Sequence, residues 1–186
     1  MSPTHAGNTI MKIKSSLRIP IGFLAGIIYI WRADPTPLSF GLGTLLMLFG
    51  ELIRFVSSGT LVKFEGVTRN GIYACTRNPL YIGSFFLGMG ACIIGRDTIF
   101  TLVFFSFYLI FYRRVILNEE RYLKTRYGDD YLRYLEEVPR IIPREISFSN
   151  ISRETFPPLA IKNKEGKTIL GILAVLIVMM VKMILN

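Results

Sequence analysis

Five apolar stretches dominate this 186-residue chain, at about Leu17–Trp31, Leu38–Val56, Leu80–Ile94, Thr98–Tyr112 and Thr168–Leu185. Too little polar sequence remains between them to cover that many apolar helices in water, whereas a bilayer needs no such cover. A spanning helix takes about 20 apolar residues, with a range of roughly 17–25. The first, third and fourth stretches are short by that measure. The expected fold is all-α: a polytopic membrane protein of about five transmembrane helices in hairpins, with a cytoplasmic amphipathic helix over 118–137 that Gly128 weakens midway.

Charge supports the same reading. Charged residues make up 19% of the chain, against about 25% in soluble domains, and they cluster between the apolar stretches. The net charge of +9 suits an anionic membrane surface. Nucleic acid is set aside, because no zinc-finger spacing or aromatic RNA-binding pattern accompanies the basic residues. Cys75 and Cys92 do not form a CxxC pair, and with the single His5 they make no usual metal site.

The basic residues also alternate from loop to loop. Lys12, Lys14 and Arg18 precede the first stretch, Arg32 and Arg96 stand alone in two short turns, and Lys63, Arg69, Arg77, Arg113 and Arg114 fill the other connections. The positive-inside rule then places the N-terminus, the 57–79 connection and the 113–167 segment in the cytoplasm. Residues 1–18 read as a cytoplasmic tail, 19–143 as the membrane core, 144–167 as a polar linker and 168–186 as a final transmembrane helix. A bacterial inner membrane and the endoplasmic reticulum remain equally open.

Two stretches on the cytoplasmic side carry more chemistry than a loop requires. In Arg77-Asn78-Pro79-Leu80-Tyr81, Pro79 fits the first turn of a helix and Asn78 the cap before it. Arg77 and Tyr81 are not explained by capping, and a helix N-terminus beside an arginine suits an anionic group. Glu119 and Glu120 stand where the fourth helix leaves the membrane; they fit either a solvated face, with Glu120 paired to Lys124, or a carboxylate site for a cation or hydroxyl groups. Gly88-Met89-Gly90 fits close helix packing or room for a flat ligand. Glu51 and Arg54 read as a structural i,i+3 pair. Asp97 or Thr98 can cap the fourth helix.

Taken in order, these pieces form a pattern: Gly71-Ile72-Tyr73, Arg77-Asn78-Pro79-Leu80-Tyr81-Ile82-Gly83, Glu119-Glu120, Tyr127-Gly128-Asp129-Asp130-Tyr131-Leu132-Arg133-Tyr134, then Arg140 and Pro143. Over about residues 60–143 the chain resembles the integral membrane methyltransferases that include isoprenylcysteine carboxyl methyltransferases and phospholipid N-methyltransferases. Asn78 stands where that pattern usually has His, although Asn78-Pro79-Leu80-Tyr81-Ile82-Gly83-Ser84 is similar to the phospholipid branch.

The resemblance implies an enzyme that uses S-adenosylmethionine to methylate a lipid or prenylated acceptor drawn from the bilayer, at a carboxyl or an amine. It implies catalytic roles for Arg77, Asn78, Tyr81 and Glu120. The implied cofactor site comprises Tyr73, Asn78, Tyr81, Gly88, Gly90, Glu119, Glu120 and Tyr131, with no metal. Two other readings compete. The layout and the Val138-Pro139-Arg140-Ile141-Ile142-Pro143 ending also resemble NADPH-dependent sterol or lipid reductases, and a non-enzymatic membrane protein would need none of these side chains.

Overall fold

The computed structural model describes residues 24–61, 66–143, 145–146 and 148–185, and every element among them is helical. The 1–18 tail and the start of the first apolar stretch lie outside the described residues. α1 is described over 24–32; α2 is Pro37–Thr60, α3 Pro79–Gly95, α4 Thr98–Tyr127, α5 Asp129–Glu137, α6 Phe148–Glu154, α7 Pro157–Lys162 and α8 Glu165–Leu185. A 3-10 turn over Gly71–Ala74 precedes α3.

Three of these helices, α2, α4 and α8, are long and apolar enough to cross a membrane, and α3, with 17 residues, is shorter. The expected count of about five therefore comes down to three among the described residues. Their outward faces are strongly apolar: Leu38, Leu45, Ile99, Leu102, Leu109, Leu170 and Ile177 are all exposed. Such a surface suits hydrocarbon rather than water.

Local signals start the helices. Thr36 and Ser39 form a reciprocal capping box, and Pro37 follows at the first position of α2. Asp97 caps α4 by accepting from the Phe100 amide at 2.6 Å, and its other oxygen accepts from Arg32 at 2.7 Å. Arg96, in the left-handed region, ends α3.

α2 and α3 run antiparallel in backbone contact. A Cβ on Gly43 would stand 2.5 Å from the Gly90 carbonyl oxygen, and one on Gly50 2.6 Å from that of Gly83. Small residues at such crossings let membrane helices approach closely. α8 joins them, with Met179 buried among Tyr29, Ala33, Met47 and Ile94. Lys182 near its end donates to the carbonyls of Ile30 and Trp31 at 2.7 and 2.9 Å.

Three boundaries differ from expectation. The fourth helix does not stop at Tyr112: α4 runs 30 residues without a break, about 45 Å at 1.5 Å per residue, so its last turns project beyond a hydrocarbon core of about 30 Å. The first half of the expected amphipathic helix is thus the end of α4, and Gly128, at φ 53°, reverses the chain into α5. The expected polar linker holds α6 and α7, and α8 begins at Glu165 rather than Thr168. These short helices are docked: Phe156 N–H donates to the Gly59 carbonyl at 2.9 Å, and the Asn163 amide donates to those of Ser58 and Leu61 at 2.8 and 3.0 Å.

Candidate active site

Where α2 ends, α3 begins, and α4 turns into α5, the helices enclose a cleft of about 440 Å³. Tyr73, Arg77, Asn78, Tyr81, Glu119, Glu120 and Tyr131 all line it. They come from three separate parts of the chain, and each is placed by a different local cause. Asn78 and Tyr81 sit at the start of α3, the two glutamates on the projecting turns of α4, and Tyr131 on the buried face of α5, with Tyr134 and Val138.

Asn78 occupies the N-cap position of α3 but does not cap it with its side chain. Its amide donates instead to the Arg140 carbonyl at 3.0 Å. Just before it, the Arg77 N–H donates to the Pro139 carbonyl at 3.0 Å and the Thr76 hydroxyl to the Ile141 carbonyl at 2.9 Å. Three consecutive residues thus clasp three consecutive residues of the tail.

The clasp delivers the Arg140 side chain to Glu120. Its Nε and Nη2 donate to the two carboxylate oxygens at 2.9 and 2.7 Å, and Arg77 Nη1 lies 3.2 Å from Oε1. Glu120 is therefore committed to two guanidinium groups, and the trio keeps one net positive charge. Buried Arg77 Nε has no hydrogen-bond partner among the described residues. This leaves a donor for a ligand or for water.

Glu119 is placed differently. It accepts from the Tyr81 hydroxyl at 2.7 Å and forms no ion pair among the described residues. Tyr81 is held in turn by the Tyr108 hydroxyl, which donates to its carbonyl at 2.5 Å, and by an edge-on contact with Tyr112, ring centroids 5.2 Å apart. The neighbouring glutamates therefore differ in surroundings: Glu120 faces two guanidinium groups, and Glu119 faces the Tyr81 hydroxyl.

Seven tyrosines line the cleft: Tyr73, Tyr81, Tyr112, Tyr122, Tyr127, Tyr131 and Tyr134. Burial, then the charge of Glu120, pushes the Tyr131 hydroxyl up to about 12, and burial raises Tyr73 and Tyr134 as well. These groups stay protonated near neutral pH. Tyr134 donates to the Tyr73 carbonyl at 2.7 Å. Arg69 bonds the backbone and side chain of Asp130 and lies 6.0 Å from the Tyr134 ring centre. Aromatic faces with one uncommitted carboxylate suit a flat ring and a cation.

Gly88 and Gly90, expected in the cofactor site, are not among the residues that line this cleft. A Cβ on Gly90 would meet Met47 and the Gly43 carbonyl of α2, and one on Gly88 would overlap the Phe104 ring of α4. Their smallness serves helix packing. Two contributors carried no assigned role in the expectation. Arg140 was visible only as a motif residue, and Arg54 read as structural although it lines the cleft; nothing local in the sequence shows where either side chain points.

The family model for phospholipid methyltransferases matches residues 38–130. The chain is 25% identical over 141 residues to the protein-S-isoprenylcysteine O-methyltransferase of Schizosaccharomyces pombe, covering 74% of this chain and 60% of that protein. It is 30% identical over 128 residues to that of Dictyostelium discoideum, covering 61% and 54%, and 29% identical over 113 residues to that of Rattus norvegicus, covering 54% and 40%. The chain spans about half the length of the curated relatives it matches. No solved structure matches significantly.

Proposed function

The chain belongs to the phospholipid methyltransferase family, and we propose on that basis that it transfers a methyl group from S-adenosylmethionine to a membrane-held acceptor, a prenylated or lipid molecule. The observation that carries the proposal is the division of labour between the two glutamates inside one tyrosine-lined cleft. When bound, the cofactor supplies an activated methyl group on a sulfonium.

The residues present fit that group. Glu119 meets the cationic or diol part, with Tyr81 fixing its carboxylate. Arg77 offers its unused Nε–H, and the Arg77–Arg140–Glu120 trio its net positive charge, to the carboxylate end. Tyr73 and Tyr131 offer faces to the adenine. The protein's contribution is then orientation and exclusion of water, since transfer to an anionic acceptor neutralises charge and is favoured in a dry site.

The acceptor group we infer is a carboxylate. A carboxylate needs no base, and Asn78 cannot act as one: its amide is neutral and engaged with Arg140. An amine acceptor would need a proton acceptor, and Glu119, the uncommitted carboxylate, is the group assigned to the cofactor. The relatives named above are all O-methyltransferases of prenylated cysteine, which supports the same choice.

We place the cofactor part at about residues 60–143 and the cleft on the cytoplasmic face. Five arginines, Arg69, Arg77, Arg113, Arg114 and Arg121, fall in the segments at the cleft end, against Arg32 and Arg96 alone in the turns at the far end.

The test is binding to the purified protein in detergent, with NADPH as comparator. Saturable binding of S-adenosylmethionine, weakened at least tenfold by Glu119→Gln, is expected. Binding of NADPH in its place would move the protein to the lipid reductases, and binding of neither would remove the enzyme reading.

A further inference from the structure

Arg54 stands on α2 between the cleft and the first turn of α8. Its Nε and Nη2 each lie 2.7 Å from Oε1 of Glu165, and Nη2 also lies 3.3 Å from the Thr168 hydroxyl. Nη1 donates to the Ser84 hydroxyl at 2.5 Å. The second oxygen of Glu165 accepts from Ser58 at 2.7 Å. The Glu165 side chain is only 4% exposed, so its charge depends on Arg54 for compensation.

A guanidinium has five N–H donors. The hydrogen bonds use three, with Nη2 also ion-paired to Glu165, and Nη1 keeps one donor beyond the one that meets Ser84. Both Arg54 and Ser84 line the cleft, and Ser84 lies about one helical turn deeper along α3 than Tyr81. Deeper means away from the charged mouth formed by Arg77, Glu119 and Glu120, and toward the apolar interior. Glu165, with Glu51 at 3.8 Å, offsets the charge of Arg54. What remains at this end is a directed donor rather than a free cation.

We propose that Glu165 is a positioning residue for the acceptor end of the cleft. It holds Arg54 against Ser84 so that the remaining Nη1–H meets an oxygen of the acceptor. The terminal helix is then a working part of the site, although it lies outside the residues 38–130 that the family model matches. This rests on the methyltransferase reading above.

The experiment compares wild type, Glu165→Gln, Glu165→Asp and Arg54→Lys as full-length protein in detergent, with a farnesylated N-acetylcysteine as acceptor probe. Glu165→Gln keeps the volume and one acceptor oxygen but gives up the charge. It should raise the acceptor KM or lower kcat at least tenfold while the Kd for S-adenosylmethionine stays within about twofold. Glu165→Asp should recover part of the loss, and Arg54→Lys, which lacks the fork, should not. An equal fall in cofactor and acceptor binding, or no fall in either, would overturn the proposal.

A second readout needs no turnover. A reporter cysteine at Leu61, which lines the cleft, is labelled with a water-soluble maleimide, and adding Glu165→Gln should change the rate several-fold. An unchanged rate overturns the positioning role. If the wild type shows no transfer and no cofactor binding, the methyltransferase reading fails separately, and the labelling still decides whether Glu165 holds the cleft wall.

Discussion

The side-chain amide of Asn78 lies 3.0 Å from the backbone carbonyl of Arg140, and the guanidinium of that same Arg140 forks onto Glu120. A residue at a helix start thereby sets the position of a charge 62 residues further along the chain. Asn78→Ala removes this donor and leaves the Arg140 carbonyl only the longer contact with the Thr76 hydroxyl at 3.3 Å, a loss of about 1 kcal/mol. We expect the Kd for S-adenosylmethionine to rise about tenfold by calorimetry. Asn78→His, whose ring N–H can donate to the same carbonyl, should keep most of the affinity.

Tyr81 and Glu119 should be coupled. Tyr81→Phe removes only the hydroxyl at 2.7 Å from the carboxylate and should weaken cofactor binding by a small factor. Glu119→Gln removes the charge itself and should weaken it more. If Tyr81 acts by orienting Glu119, the double variant should lose less than the two single losses combined, with a coupling of about 1 kcal/mol. Strictly additive losses would mean that they act apart.

Glu120 should matter for stability before it matters for chemistry. Its side chain is 13% exposed, and it faces Arg77 and Arg140. Glu120→Ala leaves two guanidinium groups close together without an anion. Removing one partner of a buried pair costs about 3–5 kcal/mol; Arg140 is half exposed, so about 2 kcal/mol is the expected loss. Thermal unfolding in detergent should show it, with Arg140→Ala clearly milder.

Gly90 separates a packing role from a cofactor role. A Cβ there would press on Met47 and the Gly43 carbonyl, and overpacking of this kind costs about 1–3 kcal/mol. Gly90→Ala should lower the unfolding temperature. At a temperature where the variant is folded, its cofactor Kd should match the wild type. A selective loss of cofactor affinity would return Gly90 to the site.

The buried tyrosines predict an alkaline limit. Tyr73, Tyr131 and Tyr134 have raised pKa values, that of Tyr131 being about 12, mainly because burial disfavours the phenolate. Their contribution is fully present below the unfolded tyrosine pKa of about 10 and is lost as the pH rises toward the folded value. The unfolding temperature should thus fall above about pH 10. Tyr131→Phe should flatten that fall.

Much of this was legible because its causes are local. The Asp97 cap, the Pro79 helix start and the break at Gly128 depend on neighbours a few residues away, and composition alone marks α2, α4 and α8 as membrane helices. The difference between Glu119 and Glu120 was not legible, because Arg140 decides it from 20 residues away. The packing of Gly90 on α2 was not legible for another reason: a missing side chain reads the same whether it makes room for a ligand or for a helix. The polar sequence of 144–167 concealed α6 and α7; α7 is held at both ends by backbone carbonyls that any sequence possesses.

The pairing of Arg54 with Glu165 also bears on biosynthesis. The two residues are 111 positions apart, and at about 5–20 residues per second the ribosome needs roughly 6–22 s to reach the second after making the first. During that interval α2 holds a guanidinium whose partner does not yet exist. A message truncated between residues 130 and 165 would still encode the whole family-matched region, yet it would yield a protein in which Arg54 lacks Glu165. The pairing of α2 is thus settled only once α8 has been made.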